Sequence, residues 1–155
     1  MGYNFLPSEI SAAFALEQLK KLKKNIKIRE KNFNSMKNFF KTKYKDYVEL
    51  PTQEKHLITG WLAYPVILKN EKNIDRCKMQ IFLEKNSIQT RTIFTGNILR
   101  QPIMKKRFYK KHNNAEVNSN NIMKNGLLLG CHHGLKKKDI DYMMKKIDLF
   151  FKKHA

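Results

Sequence analysis

Two arginines fall within ten positions in Thr90-Arg91-Thr92-Ile93-Phe94-Thr95-Gly96-Asn97-Ile98-Leu99-Arg100-Gln101-Pro102. Only five of the 32 basic residues in this chain are Arg, and two of them fall in this one segment. A guanidinium offers a fixed fork of donors that fits phosphate and carboxylate oxygens, which a Lys point charge does not. From Ile93 to Asn114 there is little periodicity, much Gly, Asn and Pro, and several bulky side chains. Irregular segments of that length inside a compact domain are uncommon and often functional. Anion recognition is the chemistry these residues suggest. Surface salt bridges are the plainer alternative.

Cys131-His132-His133 has metal-ligating residue types. Consecutive residues of an extended segment point to opposite faces, so the three cannot close on one ion. Satisfied polar groups at a strand end, or a lining role in a pocket, account for them better. No nucleophile–base set stands out, and no metal site is expected.

The elements that must position these residues can be read from periodicity. Pro7-Ser8-Glu9 signals a helix start, with Ser8 able to cap and Glu9 in the first turn. Ala12, Leu16, Leu19, Leu22, Ile26, Phe33, Met36 and Phe40 then form one apolar stripe. It implies one long helix, or two sharing a kink near Lys23-Lys24. Pro51 ends that unit, and Leu57 to Leu68 reads as a strand in which Pro65 argues for an edge or a bulge. Asn73 is placed to cap a second helix with Ile74, Cys77, Ile81 and Phe82 inward. Ser87 to Arg91 reads as a short strand, Val117 to Lys124 as a short helix, Leu127 to Cys131 as a buried strand. Asp139 to Lys153 forms a last amphipathic helix, with Ile140, Met143, Met144, Ile147 and Phe150 inward. The fold class is α/β: one domain over residues 1–155, with helices packed on a small, mainly antiparallel sheet.

At 41% hydrophobic and 29% charged, the composition is that of a globular domain. No apolar run is long enough for a membrane span, the N-terminus does not read as a signal peptide, and two cysteines suit a reducing compartment; a cytoplasmic location is expected. The net charge of +19 comes mainly from dispersed Lys beside much Asn, a pattern that accompanies AT-rich coding sequences. Lys136-Lys137-Lys138 clusters where a helix should begin, outside any nucleic-acid-reading motif, so no specific nucleic-acid partner is expected.

A resemblance joins these pieces. Gly2-Tyr3-Asn4-Phe5, then Ser8-Glu9-Ile10-Ser11-Ala12-Ala13 and Leu16-Glu17-Gln18-Leu19, resemble the G-Y-N…A-A…L-x-Q-L passage of the DegT/DnrJ/EryC1/StrS family. Ser87-Ile88-Gln89-Thr90-Arg91 is similar to that family's G-I-x-T-R, with Ser for the usual Gly. Phe94-Thr95-Gly96-Asn97 with Arg100-Gln101-Pro102 resembles the F-x-G-N…R-Q-P form of the branch that dehydrates nucleotide-linked 4-keto-6-deoxy sugars at C3. Ile122-Met123 and residues 130–134 continue the likeness, which covers essentially the whole chain.

The resemblance implies the C-terminal small domain of a type I aminotransferase fold, working with pyridoxal or pyridoxamine phosphate. It implies a homodimer with shared active sites, or a separate chain carrying the large domain. Asn4, with Tyr3 beside it, would reach the cofactor phosphate. Arg91 would face the sugar nucleotide, and Phe94, Asn97, Arg100 and His133 would shape its pocket. The residue that anchors or acts on the cofactor, Lys in aminotransferases and His in dehydratases, lies upstream of G-Y-N in that family. No catalytic residue is therefore expected within these 155 residues, and neither bound cofactor nor turnover is expected of them alone. A nucleotide-sugar aminotransferase small domain and a standalone basic module for nucleotide sugars or polyanions are the rival readings.

Overall fold

The computed structural model describes residues 6–69, 72, 74–110 and 116–154. Tyr3, Asn4 and Asn73 lie outside the described residues. The chain runs α1 (Glu9–Lys43), β1 (Val48–Glu49), β2 (Ala63–Leu68), α2 (Arg76–Lys85), β3 (Thr90–Thr92), α3 (Glu116–Asn125), β4 (Gly126–Gly130) and α4 (Lys137–His154). Two short 3₁₀ helices, Ile98–Arg100 and Pro102–Lys106, lie between β3 and α3. The four strands form one antiparallel sheet in the order β1-β2-β4-β3. This is the α/β fold with a small antiparallel sheet that the sequence implies.

The sheet divides the molecule into two faces. Along β2, Tyr64, Val66 and Leu68 are buried while Ala63, Pro65 and Ile67 are half-buried, the alternation that a pleat imposes. Leu127 and Leu129 of β4 join the buried face, where Phe33, Met36 and Phe40 of α1, Met79 and Leu83 of α2, and Ile147, Phe150 and Phe151 of α4 complete one apolar cluster. Tyr64 is its centre. Its ring lies parallel to Phe40 at 5.5 Å and tilted to Phe33 at 4.9 Å, and Phe33 stacks on Trp61 at 3.9 Å. The Tyr64 hydroxyl is buried without a hydrogen-bond partner, and burial pushes its pKa up. An orphaned buried hydroxyl costs about 1–3 kcal/mol, which the surrounding rings must offset.

A second anchor joins α1 to α4. The Asp148 carboxylate accepts from Lys43 Nζ at 2.9 Å, from the Tyr44 hydroxyl at 2.9 Å and from Lys152 Nζ at 2.8 Å. These donors hold Asp148 well below the usual carboxylate range. In turn, burial and the Asp148 contact push Tyr44 up to about 12.

Several local expectations need correction. α1 is one unbroken helix, but only its second half enters the core; Ala12, Leu16, Leu19 and Leu22 are exposed. Ser8 occupies the N-cap position without a side-chain capping bond. The strand expected from Leu57 begins only at Ala63, and β2 is an inner strand despite Pro65. Because β1 pairs only with Ile67 and Leu68, Pro65 lies beyond its reach, where a missing donor is tolerated. Asp75 caps α2, accepting from the Lys78 N–H at 3.0 Å, and that bond lowers its pKa. The buried side of α2 is Met79 and Leu83, while Cys77 and Ile81 are exposed.

Candidate functional site

The opposite face of the sheet carries the site. In register, Arg91 of β3, Leu128 of β4 and Pro65 of β2 form one row across that face, and Gly130 and Ala63 begin the next. α3 covers the far end of the same face. A Cβ at Gly126 would lie 2.6 Å from the Ile122 carbonyl oxygen, so only glycine lets the helix approach the strand this closely. Asn121 Nδ2 also donates to Glu49 Oε1 on β1 at 3.2 Å, fixing α3 across the sheet. Beyond α3 the rows at Arg91 and Gly130 stay open. A cavity of about 530 Å³ begins there, floored by Ala63, Leu128 and Gly130, with Arg91, His132 and Tyr142 among its lining. Arg91 is exposed and makes no hydrogen bond or ion pair with another described residue. Its neighbour in the strand, Thr90, faces inward and donates to Glu84 of α2 at 2.8 Å. The pleat therefore holds Thr90 in the core and turns Arg91 to the cavity.

Beyond Arg91 and β3, the Arg-containing segment is fastened to α3. Asn97 is only 2% exposed. Its Oδ1 accepts from the Leu99 N–H at 2.9 Å, capping the first 3₁₀ turn, and its Nδ2 donates to Asn120 Oδ1 at 2.9 Å. Arg100 Nε donates to the same Asn120 oxygen at 3.3 Å and lies 3.9 Å from Glu116 Oε2. Gly96, at φ +67°, backs directly onto Met123. Glycine, amide and guanidinium thus pin one loop to one helix. Phe94 is left at the tip, 87% exposed with φ +47°.

Of the predicted site residues that are described, Arg91 alone lines the cavity. Asn97 and Arg100 are brought together on Asn120, with their side chains engaged by α3. His133 is elsewhere: it accepts from Arg29 Nη2 of α1 at 3.3 Å, and it is His132 that reaches the cavity. Asn32 orders the intervening turn by donating to the carbonyls of Cys131, His132 and Leu135 at 3.5, 3.1 and 3.3 Å. Cys131 is buried, donates to the Trp61 carbonyl at 3.5 Å, and has its thiol pushed up to about 11 by burial. Cys131, His132 and His133 diverge to three different surroundings. Among the described residues no group of three potential ligands could hold a metal ion.

Sequence reasoning missed Asn120, which no motif marked, and Arg29, whose Nε is buried without a partner beside the 131–135 turn. Arg29 carried a usable signal, since it too is an Arg in a protein that otherwise uses Lys.

A profile of the DegT/DnrJ/EryC1/StrS aminotransferase family matches residues 1–148. The GDP-4-keto-6-deoxy-D-mannose 3-dehydratase of Escherichia coli O55:H7 is 36% identical over 143 residues, covering 92% of this chain and 36% of that protein. The lipopolysaccharide biosynthesis protein RfbH of Salmonella typhimurium is 28% identical over 151 residues, covering 97% of this chain and 34% of that protein. A crystal structure of GDP-4-keto-6-deoxymannose-3-dehydratase with a trapped PLP-glutamate geminal diamine superposes with a TM-score of 0.81 at 33% identity, over 94% of this chain and 37% of that one. The chain spans about a third of the length of these relatives.

Proposed function

The chain belongs to the DegT/DnrJ/EryC1/StrS aminotransferase family, and from that membership we propose that residues 1–155 act as one domain, the C-terminal small domain of a nucleotide-sugar 3-dehydratase. Its place would be deoxysugar and lipopolysaccharide biosynthesis in the cytoplasm. The curated relatives quoted above carry dehydratase and lipopolysaccharide names, which favours this reading over a sugar aminotransferase. No described helix is long and apolar enough to cross a membrane.

What carries the reading is Arg91: an unpaired guanidinium on the open face of the sheet, at the rim of a cavity with an aliphatic floor. A nucleotide-linked 4-keto-6-deoxy sugar has the matching chemistry, with diphosphate oxygens for the guanidinium and a deoxygenated sugar for the floor. Phe94 would close over the bound sugar from the loop tip. Asn97 and Arg100 would act by fastening that loop to α3, and His132 would line the wall more directly than His133.

Pyridoxal or pyridoxamine phosphate supplies the electron sink for loss of a C3 hydroxyl in such enzymes. The described residues do not fit that group. A phosphate dianion and a pyridine ring need several converging cationic donors; the cavity has one guanidinium, with Gln89, His132, Tyr142 and the Asp139 carboxylate on its lining beside the aliphatic side chains. Asn4 and Tyr3, the proposed cofactor contacts, lie outside the described residues. This domain's share is therefore to bind and orient the sugar nucleotide, within a homodimer or together with a large domain.

The test combines this chain with the part of the Escherichia coli relative that it does not match. Turnover of GDP-4-keto-6-deoxymannose is expected from the mixture and not from either part alone. A mixture in which both parts are folded and cofactor is bound, yet nothing is dehydrated, overturns the proposal.

A further inference from the structure

Leu149 stands on the outer side of α4, 45% exposed, with lysine at each of the four positions that neighbour it on a helix surface. Lys145 and Lys146 precede it, and Lys152 and Lys153 follow. Lys145, Lys152 and Lys153 are exposed, and Lys146 is half-buried with its Nζ 5.4 Å from the Tyr142 ring centroid. Ile147, Phe150 and Phe151 enter the core from the other side of the helix, so its phase turns Leu149 outward. Lys138 continues the row of Lys145 and Lys152 at seven-residue steps, about 10 Å apart along the axis. The acids of α4 cancel little of this charge. Asp148 is shared by Lys43, Lys152 and Tyr44, Asp139 accepts from the Lys136 N–H at 2.8 Å, and Asp141 lies toward one edge of the row. Lys41 in the last turn of α1 and Lys45 just after it are exposed as well. Neither Leu149 nor any of the four lysines around it lines the Arg91 cavity.

We propose that this lysine-ringed leucine docks the domain on an anionic phospholipid surface, which it touches through the outer side of α4 without spanning it. The ammonium groups would meet lipid phosphates at the ends of their long stems, and Leu149 would enter the apolar layer just beneath. Two features select a bilayer over a dissolved polyanion. An exposed leucine gains nothing from a nucleic acid backbone or an acidic polypeptide, whereas a bilayer places apolar depth directly under its phosphates. The row also holds no arginine, the side chain whose fork reads base edges and single phosphates. A second copy of this chain is a poor occupant, because the same positive charges would face each other. The apolar side of α4 is already committed to the core, so attachment is mainly electrostatic, reversible and weakened by salt. Arg91 projects from the opposite face of the sheet, so a domain resting on this side of α4 leaves that face free. Binding of this kind requires neither sugar nucleotide nor cofactor.

The experiment follows sedimentation of the 155-residue chain with vesicles of phosphatidylcholine containing about one-third phosphatidylglycerol, and with vesicles of phosphatidylcholine alone. Binding is expected to the first kind only, and raising salt from about 0.1 M to about 0.5 M should weaken it roughly tenfold or more. Each lysine near a charged surface contributes about fivefold in affinity, so Lys145→Gln combined with Lys146→Gln should cost roughly tenfold or more. Lys105→Gln combined with Lys106→Gln removes the same charge from the 3₁₀ helix between β3 and α3, and should cost less than about threefold. Circular dichroism should be unchanged in both double variants. Leu149→Trp reports depth: its emission should shift to the blue on the anionic vesicles and be quenched there by lipids brominated along the acyl chain. A DNA duplex should cause no such shift. Trp61, stacked on Phe33, supplies a constant background. No binding to the anionic vesicles, equal binding to both kinds, equal losses from the two double variants, or an unshifted Leu149→Trp emission on the anionic vesicles each overturns the proposal. Tighter binding to the duplex than to the vesicles overturns it in favour of a nucleic acid.

Discussion

Gly96 and Met123 are in such close contact that a Cβ on Gly96 would lie 2.4 Å from the Met123 Cβ. The glycine also has φ +67°, so Gly96→Ala meets a steric clash and an unfavourable backbone at once. Alanine there should cost about 2–3 kcal/mol, or detach the loop from α3 at lower cost. Thermal unfolding distinguishes these: a fall of roughly 5–10 °C in the first case, or a small fall with faster amide exchange across residues 93–106 in the second. A variant with both properties unchanged would show that α3 does not hold the loop.

The two site arginines should behave differently. Arg91 has no partner among the described residues, so Arg91→Lys should cost at least tenfold in kcat/KM of the completed enzyme, about 1.4 kcal/mol, with Tm unchanged. Arg100 is engaged by Asn120 and Glu116, so Arg100→Lys should lower Tm slightly and affect kcat/KM less. Lys137→Ala is the control. Equal kinetic losses at both positions would place Arg100 on the substrate as well.

Asp148 sets an acid limit to stability. Its pKa is depressed in the folded state, so its contribution is complete above the unfolded carboxylate value near 4 and is lost as pH falls below it. Lys43 and Lys152 are more than half exposed, which limits the effect to about 1 kcal/mol. Tm of the wild type and of Asp148→Asn, measured from pH 7 down to pH 2, should converge at the acid end. A constant difference would mean that the carboxylate's charge is irrelevant.

Ser87 has φ +60°, in the left-handed region that glycine adopts without strain. Ser87→Gly should stabilise the chain by about 0.5–1 kcal/mol, the relief of a strained backbone less the entropy of glycine. A rise of a few degrees in Tm is expected, and a fall would mean the Ser87 side chain makes a contact that outweighs the strain.

Where one apolar face was unambiguous, the sequence could be read directly. Ile140, Met143, Ile147 and Phe150 keep a single helical phase, and α4 buries all four. α2 could not be read that way: Ile81, Phe82 and Leu83 are consecutive, so two phases fit, and packing chose Met79 with Leu83. β1 has only two residues, too few for alternation to show. The stripe on α1 was visible, but a stripe does not reveal what covers it, and half of this one has no cover among the described residues. Arg91 was legible because its type departs from the background of Lys and its position alternates with Thr90. The roles of Asn97 and Arg100 were not, because they depend on Asn120 and Glu116, which only the folded chain brings near.

The contrast between the two cysteines gives the molecule a built-in chemical clock. Cys77 is open to solvent on α2, whereas Cys131 is sealed in the core with its thiol pushed up to about 11. Thiolate is the reacting species, so a maleimide at neutral pH should modify Cys77 promptly and leave Cys131 untouched until the sheet opens. The mass spectrum would pass from none to one to two adducts, and the second step would time unfolding of the native chain without any engineered probe. Both adducts arriving together in native buffer would mean that β4 and α1 separate far more readily than their packing implies.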